Sequence, residues 1–454
     1  MSELPATGIL TQREAGILLH PTSLPGGRLG ADASRFLDFL ARAGCRVWQI
    51  LPLGPTGPQL SPYSLVSVFA GNIALLQRGA IRRPSASELE DFVEAERHWL
   101  PDYALFIVLK NAANGAAWWR WPREARNREP DAVARLQRRY RAELGAVYAD
   151  QLAFRLAWQS LREEAADRDI RLYGDLPMFP VADSADVWGN RGLFKLAPDG
   201  YPEYTAGVPP DAFAEDGQHW GNPVFNWPAL RARRFAWWRA RVLHELTRVD
   251  LLRWDHFRGL VATWEIPRGA RTAREGQWRD VPGRELLETL KSDLVRLPIV
   301  AENLGTITPE VDELRRAFAL PGMHVLQFAF DGTPGNPHRL ERHEEQGVAY
   351  TGTHDNDTTL GWFRSLDRAM RMRVLEMTGG RASDMPWPAI RSVLGSPARL
   401  AVVPMQDFLS LDSRHRMNRP GVAEGNWTWR LEPEALTAEL ADRIADAVAD
   451  AGRA

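Results

Sequence analysis

The stretch Leu251-Leu252-Arg253-Trp254-Asp255-His256-Phe257-Arg258-Gly259 decides how the chain is read. A short apolar run leads into Arg-x-Asp and stops at a glycine, which is how a buried parallel strand ends when its last residues face a site. Asp255 falls at the carboxyl end of that strand, and Arg253 lies two residues back on the same side. A guanidinium so placed holds a carboxylate ionised and fixes its direction. A lone Arg-x-Asp is ordinarily a structural ion pair capping a strand. Here three other strand-like runs end in the same way.

Working outward, apolar runs at 15–20, 47–51, 170–177, 251–255, 299–302, 324–330, 348–355 and 400–405 read as eight short strands. Helical patterns lie between them. One carries Phe36, Leu37, Phe39 and Leu40; another, over 229–247, puts Phe235, Trp238, Val242 and Leu246 on one face. Further helices are expected over 285–294, after Thr308-Pro309-Glu310, and over 433–449. Strands and helices alternating in one direction predict an α/β protein, a (β/α)₈ TIM barrel, as a single catalytic domain over 1–454. Three insertions are expected: a loop plus mostly helical segment at 55–169, a Gly-, Pro-, Asp- and Asn-rich loop at 180–228, and a basic loop at 267–283. Two half-barrels or separate domains leave unexplained why Asp175, Asp255, Glu302 and Asp355 all fall at strand ends, where such barrels carry their chemistry.

The formal net charge of −2, without basic or acidic blocks, favours neither nucleic acid nor an anionic membrane. A single cysteine, Cys45, excludes an internal disulfide framework and reads as a small buried hydrophobe rather than a nucleophile. Residues 1–14 lack the basic start and apolar core of a signal peptide, and no apolar run approaches the roughly 18 residues of a membrane span, so a cytoplasmic protein is expected. The chain has 18 tryptophans against 8 tyrosines. Indole stacks well on sugar rings, although its commoner use is core packing.

Paired carboxyl groups flanking an acetal carbon are the machinery of glycoside cleavage, one protonated to donate to the leaving oxygen and one ionised to attack, about 5–5.5 Å apart for retention. Asp255, beside Arg253, suits the ionised role. Glu302, in an apolar run, suits the protonated one, because desolvation favours the neutral acid. Asp355 is then a third carboxylate gripping sugar hydroxyls, with His354 adding a hydrogen bond. Each of these is, taken singly, equally readable as a buried polar cap on a strand end. His354, Asp355 and Asp357 can also be written as metal ligands, but the spacings that converge on zinc are missing. No glycine-rich phosphate loop is present either, so no cofactor and no metal are expected.

Several blocks resemble the signature stretches of the 4-α-glucanotransferase family (amylomaltases or disproportionating enzymes) of the α-amylase superfamily. They are Arg253-Trp254-Asp255-His256-Phe257-Arg258-Gly259, Ala301-Glu302-Asn303-Leu304-Gly305 and Tyr350-Thr351-Gly352-Thr353-His354-Asp355-Asn356-Asp357-Thr358. Further matches are His20-Pro21-Thr22-Ser23-Leu24-Pro25, Asp175-Leu176-Pro177, Ala206 to Asp211, Gly217 to Pro223, Arg416-Met417-Asn418 and Glu424-Gly425-Asn426-Trp427. The resemblance implies Asp255 as nucleophile, Glu302 as general acid/base and Asp355 as transition-state stabiliser. It implies Arg253, His354 and Asp175 as ligands of the reacting glucosyl unit and Tyr63 as a stacking platform. Gln218 and Trp220 match positions along the glucan groove, and Asn418 another sugar contact. Substrates implied are maltooligosaccharides and amylose, starch or glycogen-derived glucans. The chain departs from the family at Ser64, where glutamine is usual, at Ile73, where proline is usual, and at Asn303, where aspartate is usual. The last removes a charge beside Glu302 and bears on its pKa. A hydrolase and a glucan-binding protein without catalysis are the alternatives; the second sits poorly with three retained carboxylates.

Overall fold

The computed structural model describes residues 9–77, 84–210, 215–422 and 424–453. Twelve strands are found among them: β1 (Glu14–Leu18), β2 (Val47–Gln49), β3 (Arg171–Leu176), β4 (Tyr204–Val208), β5 (Gln218–Pro223), β6 (Leu251–Trp254), β7 (Ala262–Pro267), β8 (Gln277–Asp280), β9 (Ile299–Ala301), β10 (Gly322–Val325), β11 (Gly347–Tyr350) and β12 (Leu400–Pro404). Eight form an all-parallel sheet in the order β10-β11-β12-β1-β2-β3-β6-β9. The sheet closes on itself between β9 and β10, where the Ala301 N–H donates to Pro321 O at 2.8 Å. The Asn303 side chain completes this seam, its Oδ1 accepting from the Met323 N–H at 2.7 Å. The fold is a (β/α)₈ barrel.

Strand alternation sorts the apolar residues into two cores. Leu251, Tyr173, Val300, Val325, Val348, Tyr350 and Val402 fill the barrel interior. Their neighbours Leu252, Trp254, Leu172, Ile299, Ala301 and Val403 face the helices outside. On β6 this places Arg253 inward, while Trp254 turns outward and stacks on Trp238 with ring centroids 5.1 Å apart. Such a stack adds about 0.5–1.5 kcal/mol beyond the area it buries. Cys45 is fully buried in the outer core, and burial pushes its thiol up to about 12, as suits a packing residue. Most of the tryptophans are core residues too, among them Trp48, Trp118, Trp188 and Trp238.

Between β2 and β3, residues 86–166 are mostly helical, and the last helix, Arg141–Ala166, lies against helix Ala31–Arg42, where Ser34 Oγ donates to Glu164 Oε2 at 2.6 Å. Elsewhere the structure corrects the sequence reading. The segments read as loops at 180–228 and 267–283 contribute to a four-stranded antiparallel sheet, β5-β4-β7-β8. Its strands are short and rich in glycine, proline and polar residues, so their pairing depends on partners far away in sequence. On β4, a Cβ at Gly207 would lie 2.1 Å from Gln218 O, so only glycine lets β5 approach this closely. The helix expected over 229–247 is two helices, Trp227–Ala232 and Ala236–Leu246, separated by Arg234 and Phe235 at φ of 49° and 53°. The sixth strand stops at Val325 and turns into a short 3₁₀ helix, Leu326–Phe328. The seventh stops at Tyr350, so His354 and Asp355 stand on the loop beyond it rather than on the strand. The last helix is Ala438–Asp450. Among the described residues no helix is long and apolar enough to cross a membrane.

Candidate active site

The site lies at the carboxyl rim of the barrel and is organised by Arg253. Its Nη1 donates to Asp255 Oδ1 at 2.8 Å and to Asp175 Oδ1 and Oδ2 at 3.0 and 2.8 Å. Asp175 is the penultimate residue of β3, paired in register with Arg253 on β6, which is why the two meet. The Asp175 carboxylate also accepts from the Tyr63 hydroxyl at 2.7 Å. The ring of Tyr63 stacks on His354, centroids 5.2 Å apart and planes within 18°. His354 Nε2 lies 3.2 Å from Asp355 Oδ2, and Asn418 Nδ2 donates to Asp355 Oδ1 at 2.6 Å. A chain of polar contacts, bridged by the Tyr63–His354 ring stack, thus crosses the rim from Asp255 to Asn418.

The far side is built on β9. Glu302 follows directly after it, and its Oε2 accepts from the His256 N–H at 2.7 Å while its Oε1 accepts from the Leu304 N–H at 3.0 Å. The first bond needs an unusual backbone: His256 has φ 51°, in the left-handed region. For a non-glycine residue that costs on the order of 1 kcal/mol, and here it aims the amide following Asp255 at the Glu302 carboxyl. The Trp220 ring meets the His256 ring edge-on at 4.9 Å, and Trp220 Nε1 donates to Gln218 Oε1 at 3.1 Å. All ten residues expected from sequence therefore lie on one connected surface.

The electrostatics separate the carboxyl groups. Burial pushes Glu302 up to about 7, with the charge of Asp255 adding to the effect and Arg253 and the two amides opposing it. Burial likewise raises Asp175 to about 6 against the pull of Arg253. For Asp355 burial also favours the neutral form, but the adjacent His354 and the Asn418 amide outweigh it and hold the carboxyl well below its usual range. In return Asp355 outweighs the burial of His354 and raises its pKa. One buried cation, Arg253, thus serves two aspartates next to an acid that retains its proton near neutrality.

Three further residues belong to this surface without having been singled out as site residues. Trp427 lies 6.1 Å from the Tyr63 ring and 6.0 Å from His354, completing an aromatic floor. Its signal was the Glu424–Trp427 block, but nothing local said which way the ring faces. His256 sits inside the opening stretch, and its role emerges only from its backbone conformation. Arg416 donates from Nη2 to Asp355 O at 2.9 Å and so fixes the loop carrying that carboxylate. Asn303 proves to be a seam residue: its side chain is engaged by Met323 rather than by Glu302. Asp357 turns away from His354 and accepts from Ser413 Oγ at 2.7 Å, so these residues do not gather as metal ligands. Asp211 lies outside the described residues.

The family model described as 4-alpha-glucanotransferase matches residues 19–84 and 77–437. The 4-alpha-glucanotransferase of Thermus thermophilus is 42% identical over 486 residues, covering 95% of this chain and 97% of that protein. That of Aquifex aeolicus is 40% identical over 469 residues, covering 93% and 96%. Among solved structures, the amylomaltase from Streptococcus agalactiae in complex with acarbose matches with a TM-score of 0.93 at 32% identity, over 97% of this chain and 100% of that one. The amylomaltase from Corynebacterium glutamicum, at 18% identity and a TM-score of 0.78 over 98% and 76%, shares the fold. With its barrel, its rim and its sequence in agreement, this chain belongs to the 4-alpha-glucanotransferase family.

Proposed function

We propose that the chain transfers α-1,4-glucan segments to the 4-hydroxyl of a glucose or maltooligosaccharide acceptor by a retaining double displacement. Asp255 attacks the anomeric carbon of the donor, the bond to the departing 4-oxygen breaks, and Glu302 gives that oxygen its proton. The result is a glucosyl ester on Asp255 and an ionised Glu302. The acceptor's 4-hydroxyl then attacks the same carbon, Glu302 takes its proton, and the ester bond breaks with net retention. The observation that carries this reading is the Glu302 carboxyl, buried, raised to about 7, and held on the amide that follows Asp255. Such a group is a proton donor and acceptor poised at working pH.

Asp355, kept ionised by His354 and Asn418, is assigned the hydroxyls of the reacting ring, where hydrogen bonds strengthen as the ring flattens. Tyr63, with Trp427 beside it, offers a flat apolar face, and Asp175 and Arg253 hold the ring's remaining hydroxyls. Gln218 and Trp220, delivered by β5 next to His256, are assigned the acceptor side. Orientation there matters, because transfer outruns hydrolysis only when a bound sugar has a large effective concentration against bulk water. Maltooligosaccharides and longer amylose-, starch- or glycogen-derived chains are the substrates of this reading, and a cytoplasmic setting agrees with it. Incubation with maltotriose tests it: glucose plus a ladder of longer maltooligosaccharides is expected. Glucose and maltose alone would identify a hydrolase instead, and no turnover a binding protein.

A further inference from the structure

Away from the rim, Glu96, His98 and His244 come together where the helical region between β2 and β3 meets the barrel. Glu96 and His98 lie on the turn between helices Ala86–Ala95 and Leu100–Ala112. His244 lies near the end of helix Ala236–Leu246, shortly before β6. One potential ligand atom from each lies within 4.8 Å of the others.

One hydrogen bond at this cluster fixes which nitrogen of His244 faces Glu96. His244 Nε2 is 2.8 Å from Phe69 O, and a carbonyl oxygen only accepts, so Nε2 carries the proton. The other ring nitrogen, Nδ1, faces Glu96 Oε2 at 3.5 Å and carries the lone pair in the neutral ring. A carboxylate oxygen and an imidazole nitrogen at that distance are held together by a proton or by a cation between them. The spacing also exceeds the roughly 2.7–2.9 Å of a charge-assisted hydrogen bond. It agrees with the edge of a tetrahedron about an ion bonded at about 2.0–2.1 Å, which is about 3.4 Å.

We propose that Glu96, His98 and His244 form a binding site for one zinc ion. His244 contributes Nδ1, Glu96 contributes Oε2, and His98, whose ring lies at 71° to that of His244, closes the third position. His98 is exposed and meets the Phe69 ring edge-on at 5.5 Å, and among the described residues no protein hydrogen bond has to be broken for its ring to reach the ion. The surrounding bonds are those that orient metal ligands. Phe69 O fixes the His244 tautomer, while Trp99 Nε1 and Arg155 Nη1 hold the Glu96 carboxylate at 2.6 and 2.9 Å. His98 also lines a cavity of about 230 Å³ with Trp99, Tyr103, Asp186 and Trp237, which leaves space beside the cluster. Arg155 and Arg248 are balanced by Glu96 and Glu245, so the site before loading is close to neutral. Bound zinc pins the helical region to the helix that feeds β6, and so supports Arg253 and Asp255 from behind.

The test uses the full chain, stripped of metal with a chelator and titrated with Zn²⁺ by calorimetry, with Co²⁺ as a spectroscopic substitute. One zinc per chain is expected, with a rise in Tm that EDTA reverses and with the strong visible bands of four-coordinate cobalt. His98→Ala, a surface change that spares folding, is expected to weaken zinc at least about tenfold. Glu96→Gln is expected to do the same. Absence of saturable zinc binding, or binding undiminished in both variants, overturns the proposal.

Discussion

Replacing Glu302 with glutamine separates chemistry from binding, and the structure sets both magnitudes. Glutamine keeps the side chain's shape but neither gives nor takes the proton, and both half-reactions of the proposed mechanism need that transfer. A positioned acid or base contributes about 10²–10⁴-fold, so transfer should fall by that factor, equivalent to about 3–5 kcal/mol in the barrier. The variant also has a stability cost. Each Glu302 oxygen accepts one backbone N–H, from His256 and from Leu304, whereas glutamine offers a single carbonyl oxygen. One of these amides then faces an NH₂ group, a loss of about 1–3 kcal/mol. The assay is chromatography of products from maltotriose across pH, alongside urea unfolding and glucan-induced quenching of tryptophan fluorescence. In the proposed mechanism the donor step uses protonated Glu302, so kcat/KM should hold at acid pH and fall as pH rises through about 7, the value to which burial lifts this group. By pH 9 about one molecule in a hundred retains the proton. The variant should lose that alkaline limb while still binding glucan. Retention of more than about a tenth of the activity, or an unchanged limb near 7, would falsify the assignment of the proton to Glu302.

Tyr63→Phe removes the hydroxyl that donates to Asp175 but leaves the ring on His354, so a stability loss of about 1 kcal/mol with a small rise in KM is expected from denaturation and kinetics. A large fall in kcat would instead give the hydroxyl a chemical role. Asn303→Ala leaves the Met323 N–H without its acceptor at the barrel seam, and urea unfolding should register about 1–3 kcal/mol while the pH profile stays where it was. A shifted alkaline limb would put Asn303 back beside the acid. Trp220→Ala should raise the ratio of hydrolysis to transfer, read as free glucose and maltose from maltotriose, because a bound acceptor loses the platform proposed for it next to His256. An unchanged ratio would remove Trp220 from the acceptor side.

Reading the sequence placed the barrel strands because each is a short apolar run, buried on both faces, and this pattern survives whatever the rest of the chain does. It located the carboxylates for a related reason: a charged residue at the end of such a run lies at the rim and nowhere else. It misplaced the seventh strand's end because Tyr350 to Asp355 is mostly uncharged, and only the Thr353–Asn356 hydrogen bonds, at 2.9 Å, show a turn rather than a strand. The antiparallel sheet stayed hidden because β4 takes its register from β7, some sixty residues on, through pairs such as Thr205 with Ile266.

By itself, then, the sequence determined which segments are the barrel strands, which carboxylates follow their carboxyl ends, and which family they resemble, since local burial patterns and short motifs are properties of neighbouring residues. Tertiary structure decided that Arg253 serves Asp175 and Asp255 together, that Glu302 keeps its proton near neutrality, that Asn303 belongs to the seam, and that Glu96 and His98 meet His244. Those outcomes depend on sheet register, on the dielectric around each group and on which distant side chains share a space. Such quantities arise only when every element is packed at once.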